Sequence, residues 1–209
     1  MKKGDNMYRL KDECNYTLEI EKSRFICYAQ KCFNESEAKK YIQSIKKLHP
    51  NATHHCYAFI IGEHNEMQRS SDDGEPSGTA GVPMLEALRK NQMEDTVCVC
   101  VRYFGGIKLG TGGLIRAYSK SVSLCLTHAI KTHKILVDFY TLTFSYDLIG
   151  KLDYLFLQEK ITITDKKYNE LVTYTFYCLN DEIISKISEL TNGSYLPQFI
   201  EKKIIEVLE

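Results

Sequence analysis

The sequence predicts an α+β protein of two domains, with the boundary between residues 132 and 138. Three observations carry this. After His133 the pattern reads β-α-β-β-α-β over about 70 residues, which is the ferredoxin-like arrangement. Ahead of it, β-rich runs alternate with helices that carry one apolar stripe. The charge also divides: of 27 Lys+Arg and 27 Asp+Glu, 20 basic and 15 acidic residues precede the end of Val137, leaving 7 and 12 behind it. A chain of zero net charge is therefore about +5 in front and −5 behind. The expected domains are 1–134 and 135–209.

Taken in order, YTLEIEKSRFICYAQ alternates from Tyr16 and reads as one or two strands, the start of the fold. NESEAKKYIQSIKKLHP reads as a helix. Asn34 or Ser36 can cap it, Ala38, Tyr41, Ile42, Ile45 and Leu48 form its apolar stripe, and Pro50 ends it. HHCYAFIIG (54–62) is β-rich. EHNEMQRSSDDGEPSGTAG shows neither period and reads as a long polar loop, a type usually functional or disordered in compact domains. VPMLEALRKNQ is a short helix with Pro83 in its first turn. DTVCVCVRYF is almost wholly apolar and reads as a central strand, with Cys98 and Cys100 on one face. A glycine loop follows, then a helix over Leu114–His128.

Behind the boundary, KILVDFYTLTFSYD alternates as a long strand and LIGKLDYLFLQEK is helical. ITITDKKYNE and LVTYTFYCLN form two strands around a polar turn. DEIISKISELTNG is a helix from Asp181 to Gly193, and SYLPQFIEKKIIEV is the last strand.

Composition excludes several classes. MKKGDNMYRL has no apolar core for a signal segment, and no run approaches the roughly 18 apolar residues of a membrane helix. A cytoplasmic protein with no membrane partner is expected. The eight cysteines include no CxxC pair, so they read as reduced, mostly buried thiols rather than a zinc site.

VRYFGGIKLGTGGLIRAYSKSV (101–122) carries five glycines between Gly105 and Gly113. It is not a nucleoside-triphosphate loop: Gly105 and Gly110 have the right separation, but Thr111 and Gly112 stand where Lys and Ser/Thr are needed. Nor is it a dinucleotide fingerprint, because Gly110 and Gly112 are followed by Ile115 in the third glycine's place. What remains is a strand, a loop able to take positive φ, and a helix whose first N–H groups favour an anion. The candidate phosphate or nucleic-acid set is Arg102, Tyr103, Gly105, Gly106, Lys108, Gly110, Thr111, Gly112, Gly113, Arg116 and Lys120. Arg116 and Lys120 share a helix face. Packing of strand against helix is the plainer role for the glycines. Tyr103, Phe104 and Tyr118 could stack on bases or pack in the core.

A second polar cluster comprises His54, His55, Asp72, Asp73, Glu75 and Ser77. It fits no metal motif, and no cofactor is implied. It can serve acid–base chemistry, or it can hold a loop rigid by hydrogen bonds beside the glycine site. The two uses differ in one respect: chemistry requires these acids and the cations to share one cleft.

SDDGEPSGTAGVP (71–83) followed by the glycine segment resembles the paired signature of the IMPACT/YigZ family, and EIEKSRFIC (19–27) and HHCYAFIIG resemble its earlier blocks. The likeness spans about Tyr16–Ala129, and the back half is similar to the small domain of the bacterial two-domain form. The resemblance implies a front domain like the second domain of a small-subunit ribosomal protein and domain IV of elongation factor G. It implies a ferredoxin-like back domain similar to domain V of that factor. Eukaryotic relatives act in translational control through a further N-terminal domain with no counterpart in this sequence. What carries over is binding to RNA or the ribosome. The alternatives are an enzyme acting on a phosphate-containing substrate and a regulator that binds a protein partner.

Overall fold

The computed structural model describes residues 7–179 and 181–209. The polar residues 1–6, part of the segment read as unlike a signal, lie outside them. The chain divides into two compact units, Met1–Lys134 with Val207–Glu209, and Ile135–Glu206. Glu209 N–H donates to the Lys131 carbonyl at 3.0 Å within the first unit.

The first unit holds β1 (Tyr8–Leu10), β2 (Cys14–Ile20), β3 (Ser23–Lys31), α1 (Glu35–Leu48), β4 (His54–Ile61), β5 (Met67–Ser71), α2 (Gly81–Lys90), β6 (Thr96–Tyr103) and α3 (Gly110–Thr127). Five strands form an antiparallel sheet in the order β2-β3-β6-β4-β5. β6 lies at its centre, as its apolar run requires. The alternation in VCVCV sorts the two cores. Cys98 and Cys100 face a core shared with Met84 and Leu88 of α2 and Ala117 and Tyr118 of α3. Val97, Val99 and Val101 face the opposite core, against Ala38, Ile42 and Ile45 of α1. Each fully buried large aliphatic contributes about 1.5–3 kcal/mol. All eight cysteines are free thiols, seven of them buried.

Asn34 caps α1, its side chain accepting from Glu37 N–H at 2.9 Å. Three boundaries depart from the sequence reading. β5 lies inside the segment read as loop; as an edge strand bonded only to β4 it needs no apolar alternation. β1 precedes the expected start at Tyr16 and is too short to show a period; it pairs with Lys131–His133. α3 begins at Gly110, four residues early. Glycine costs about 1 kcal/mol in a helix, but burial of Leu114, Ala117 and Tyr118 carries the turn.

β7 (Lys131–Phe144) leads into the second unit, where α4 (Ile149–Gln158), β8 (Thr162–Tyr168), β9 (Val172–Cys178), α5 (Glu182–Leu190) and β10 (Gln198–Leu208) follow. Here β9 is bonded to β7 and β8, and β10 pairs with β7. Tyr140, Leu142, Phe144, Tyr174 and Phe176 meet Leu152 and Phe156 of α4 and Ile183 and Ile187 of α5 in one core. Asp181 stands at the start of α5 but makes no side-chain cap; its carboxylate accepts from Tyr140 OH at 3.1 Å. Among the described residues no helix is long and apolar enough to cross a membrane.

Candidate functional site

The register of the first sheet sets three residues in a row. Arg102 on β6 stands between Phe25 on β3 and His54 on β4. Period-two alternation places it on the same face as Cys98 and Cys100. It is only 5% exposed. A buried guanidinium needs a matched charge, and Glu75 supplies it: Arg102 Nη1 donates to Glu75 Oε1 at 2.6 Å. Nη2 donates to Ser23 Oγ at 3.3 Å. The guanidinium carbon also lies 5.2 Å from the Phe25 ring centre and 5.5 Å from that of Phe104. Tyr118 OH donates to the same Glu75 oxygen at 2.7 Å. Burial pushes the Tyr118 hydroxyl far above its ordinary range, so it stays a neutral donor. Cys56 Sγ lies 3.4 Å from that hydroxyl, and burial pushes its thiol up to about 12.

Asp72 and Asp73 fix the loop that delivers Glu75. Asp72 accepts from Gly78 N–H at 2.8 Å, Ala80 N–H at 2.9 Å and Gly81 N–H at 2.8 Å. Burial opposes its ionisation, but these three donors outweigh it and hold its carboxyl below the usual range. Gly81 is required here, because a Cβ would come within 2.7 Å of the Ser71 backbone. Asp73 sits at φ +41°, pairs with Lys46 Nζ at 2.9 Å and accepts from His55 N–H at 2.7 Å. Its ionisation too is opposed by burial and favoured overall by Lys46 and that N–H group. The Asp73 carbonyl lies 2.9 Å from His54 Nδ1.

The glycine segment closes the other side. A Cβ on Gly105 would lie 1.9 Å from the Lys22 carbonyl oxygen, so the chain passes there only as glycine. Gly106 and Gly110 take φ of +88° and +67°. Gly112 and Gly113 fall in the first turn of α3, whose N-cap residue Leu109 makes no side-chain cap. The first N–H groups of that helix are thus left for solvent or an anion.

These parts meet in one cleft of about 430 Å³, lined by polar His54, Glu75, Arg102 and Thr111, by Lys108 and Gly110, and by apolar Phe104, Leu109 and Leu114. Glu75 of the acid cluster and the Lys108–Thr111 part of the glycine segment therefore line one cleft, while Asp72 and Asp73 do not line it and serve to hold the loop. Not every candidate residue joins it. Tyr103 points to the α1 side, where its hydroxyl lies 3.0 Å from His49 Nδ1 and Arg24 covers its ring at 4.7 Å. His55 faces the same side, 2.9 Å from the His49 carbonyl through Nε2. Ser77 is exposed in the loop, and Arg116 and Lys120 are exposed on α3. Phe104 is 46% exposed at the cleft, whereas Tyr118 is wholly buried. Sequence reasoning does not single out Ser23, Phe25 or Thr53; Thr53 lines the cleft and its Oγ1 accepts from Phe104 N–H at 3.2 Å. Strand register places Phe25 beside Arg102, and side-chain contacts in the folded chain bring in Ser23 and Thr53. Among the described residues no group of three or more His, Cys, Asp or Glu could hold a metal ion.

Residues 21–126 match the model of the Impact N-terminal domain, half of the chain. This chain belongs to the IMPACT family. Residues 142–194 match a domain of unknown function, DUF1949. The chain is 44% identical over 189 residues to the IMPACT family member YvyE of Bacillus subtilis, covering 89% of this chain and 87% of the relative. It is 38% identical over 156 residues to the IMPACT family member YigZ of Escherichia coli, covering 74% and 76%. A crystal structure described only as that of a hypothetical protein matches with a TM-score of 0.60 at 32% identity, over 94% of this chain and 98% of that one.

Proposed function

We propose that this protein binds RNA, in the cytoplasm and in the service of translation, through the surface around the first turn of α3. One observation carries the reading: the uncapped start of α3 opens at the cleft beside the exposed Lys108, with exposed Arg116 and Lys120 further along the same helix. Phosphate of an RNA backbone is received by free N–H groups and cations in such a place. Arg102 takes a different part, since its charge is already matched by Glu75. Family membership supports a place in translation, as do the elongation-factor-like front domain and ferredoxin-like back domain that the family resemblance implies. A second reading, an enzyme acting on a phosphate-bearing substrate, is favoured by Glu75 and His54 lining the same cleft as Lys108.

Binding to single-stranded RNA, duplex RNA, transfer RNA and ribosomes across a salt series tests the proposal, with a Lys108→Ala/Arg116→Ala/Lys120→Ala variant beside the parent. These three substitutions leave the buried Arg102–Glu75 pair intact. The expected result is weaker binding and a log–log salt slope shallower by about 2, at roughly 0.7 per lost contact on single strands. Equal affinity and slope in the two proteins refute the RNA reading.

A further inference from the structure

The buried carboxylate and the imidazole of the cleft leave two acceptors unused. Glu75 Oε1 already receives Arg102 and Tyr118, whereas among the described residues Oε2 receives no hydrogen bond, and His54 Nε2 lies 3.8 Å from it. That separation is too long for a hydrogen bond. His54 Nδ1 lies 2.9 Å from a carbonyl oxygen, that of Asp73. A carbonyl can only accept, so Nδ1 carries a proton, and in the neutral form of the ring Nε2 is left as an acceptor. Two acceptors therefore lie side by side at the cleft, 3.8 Å apart, held by the Asp73 backbone on one side and the Arg102 pair on the other. Such a notch calls for a ligand that presents two neighbouring donors. Beside it stand the ring of Phe104, half exposed and backed by the Arg102 guanidinium, and the side chains of Leu109 and Leu114, which suit a flat apolar body. Lys108 and the α3 N–H groups suit an anionic end.

We infer that the cleft is a pocket for one unpaired guanine nucleotide: its N1–H and N2–H groups donate to Glu75 Oε2 and His54 Nε2, its ring lies on Phe104, and its phosphate lies toward Lys108. Among the four bases only guanine has two adjacent donors on its pairing edge. Adenine and cytosine offer one amino group beside an acceptor, and uracil one N–H between two acceptors. Unpaired bases are read in this way, by stacking and through their pairing edges. The volume falls within the range of small-molecule sites. The nucleotide can be free or the end of a strand; only the second source rests on the RNA reading above.

Calorimetric titration of the full chain with guanosine, adenosine and uridine monophosphates, inorganic phosphate, and short uridine-rich RNAs ending in G or in U tests this. The expected preference for a guanine ligand over its uracil counterpart is about tenfold or more, the scale of one well-placed base contact. It is lost in His54→Ala and in Glu75→Gln with the amide nitrogen in the Oε2 position. Phe104→Ala, at an exposed side chain, weakens all bases alike. Thermal unfolding of each variant reports whether it has folded, and the His54 and Phe104 variants serve if the Glu75 variant has not. Equal affinity for guanine and uracil ligands, a preference unchanged in His54→Ala, or no binding of any nucleotide or guanine-ended strand overturns the inference. RNA bound without base preference overturns it while the RNA reading stands. Guanosine monophosphate bound while RNA is not keeps the pocket and removes the RNA reading.

Discussion

Removing the carboxylate of Glu75 is the most demanding test of the cleft's architecture. Glu75 and Arg102 are 8% and 5% exposed and joined at 2.6 Å, so Glu75→Ala leaves a guanidinium buried with only Ser23 Oγ at 3.3 Å and two rings around it. Deleting one partner of a buried pair costs about 3–5 kcal/mol. Tyr118 OH loses its acceptor as well, which puts the expected loss at the upper end of that range. For a unit of this size that is a fall in melting temperature of roughly 10–20 °C. The comparison variant is Glu75→Leu/Arg102→Met, which removes both charges and keeps apolar bulk. It is expected to lose clearly less than the single substitution, since an apolar replacement of a whole pair is often near neutral. Urea denaturation followed by circular dichroism gives both numbers. A loss under about 1 kcal/mol for Glu75→Ala, or a double variant as unstable as the single one, refutes the view that Glu75 is there to neutralise Arg102.

Other outcomes follow from the same geometry. Gly105→Ala must push the Lys22 backbone aside and is expected to cost about 3 kcal/mol, the upper end of overpacking; Gly106→Ala meets no atoms, and its φ of +88° costs it about 1–2 kcal/mol, so calorimetry should separate the two. Asp72 has its carboxyl pKa lowered by folding, so the stability it adds is present above its ordinary pKa and is lost as pH falls from there through the depressed folded value; Asp72→Asn should be less stable at pH 7 and show a flatter acid limb in a pH series of melting temperatures. Cys14, the one partly exposed thiol, is pushed up by its contact with Cys125 at 3.5 Å and by burial, so the native protein should resist iodoacetamide at neutral pH and label at all eight thiols in urea.

Long periodic elements were legible from sequence because burial writes its period into them. The two faces of β6 are spelled out in VCVCV, and α1 announces its cap at Asn34 and its stripe through Ile45. Edge strands were not, since β5 answers to one neighbour only and MQRSS needs no apolar side. The glycine segment was legible as a strand-loop-helix turn, and its exclusion of standard phosphate loops rests on residue identity alone. The partnership of Arg102 with Glu75 was not, as 27 positions separate them and nothing local marks which carboxylate of 72, 73 and 75 turns inward. Side-chain facing could be anticipated only where a period existed. Tyr103 and His55 follow strand alternation away from the cleft, so neighbours in sequence of two cleft residues fall on the other side of the sheet.

Asp72, Asp73 and Glu75 lie within four positions yet each grips a different part of the first unit: the start of α2, the β4–α1 pair, and the β6–α3 pair. This short stretch has no period of its own to fold by, so its conformation can be reached only after those elements have assembled. Loop closure over such separations comes late in folding. Pulse-labelled amides at 78, 80 and 81 should accordingly gain protection after those of β6, and a nascent or partly unfolded chain would lack the cleft altogether. Capture of any ligand at the cleft would then require the finished fold of the first unit.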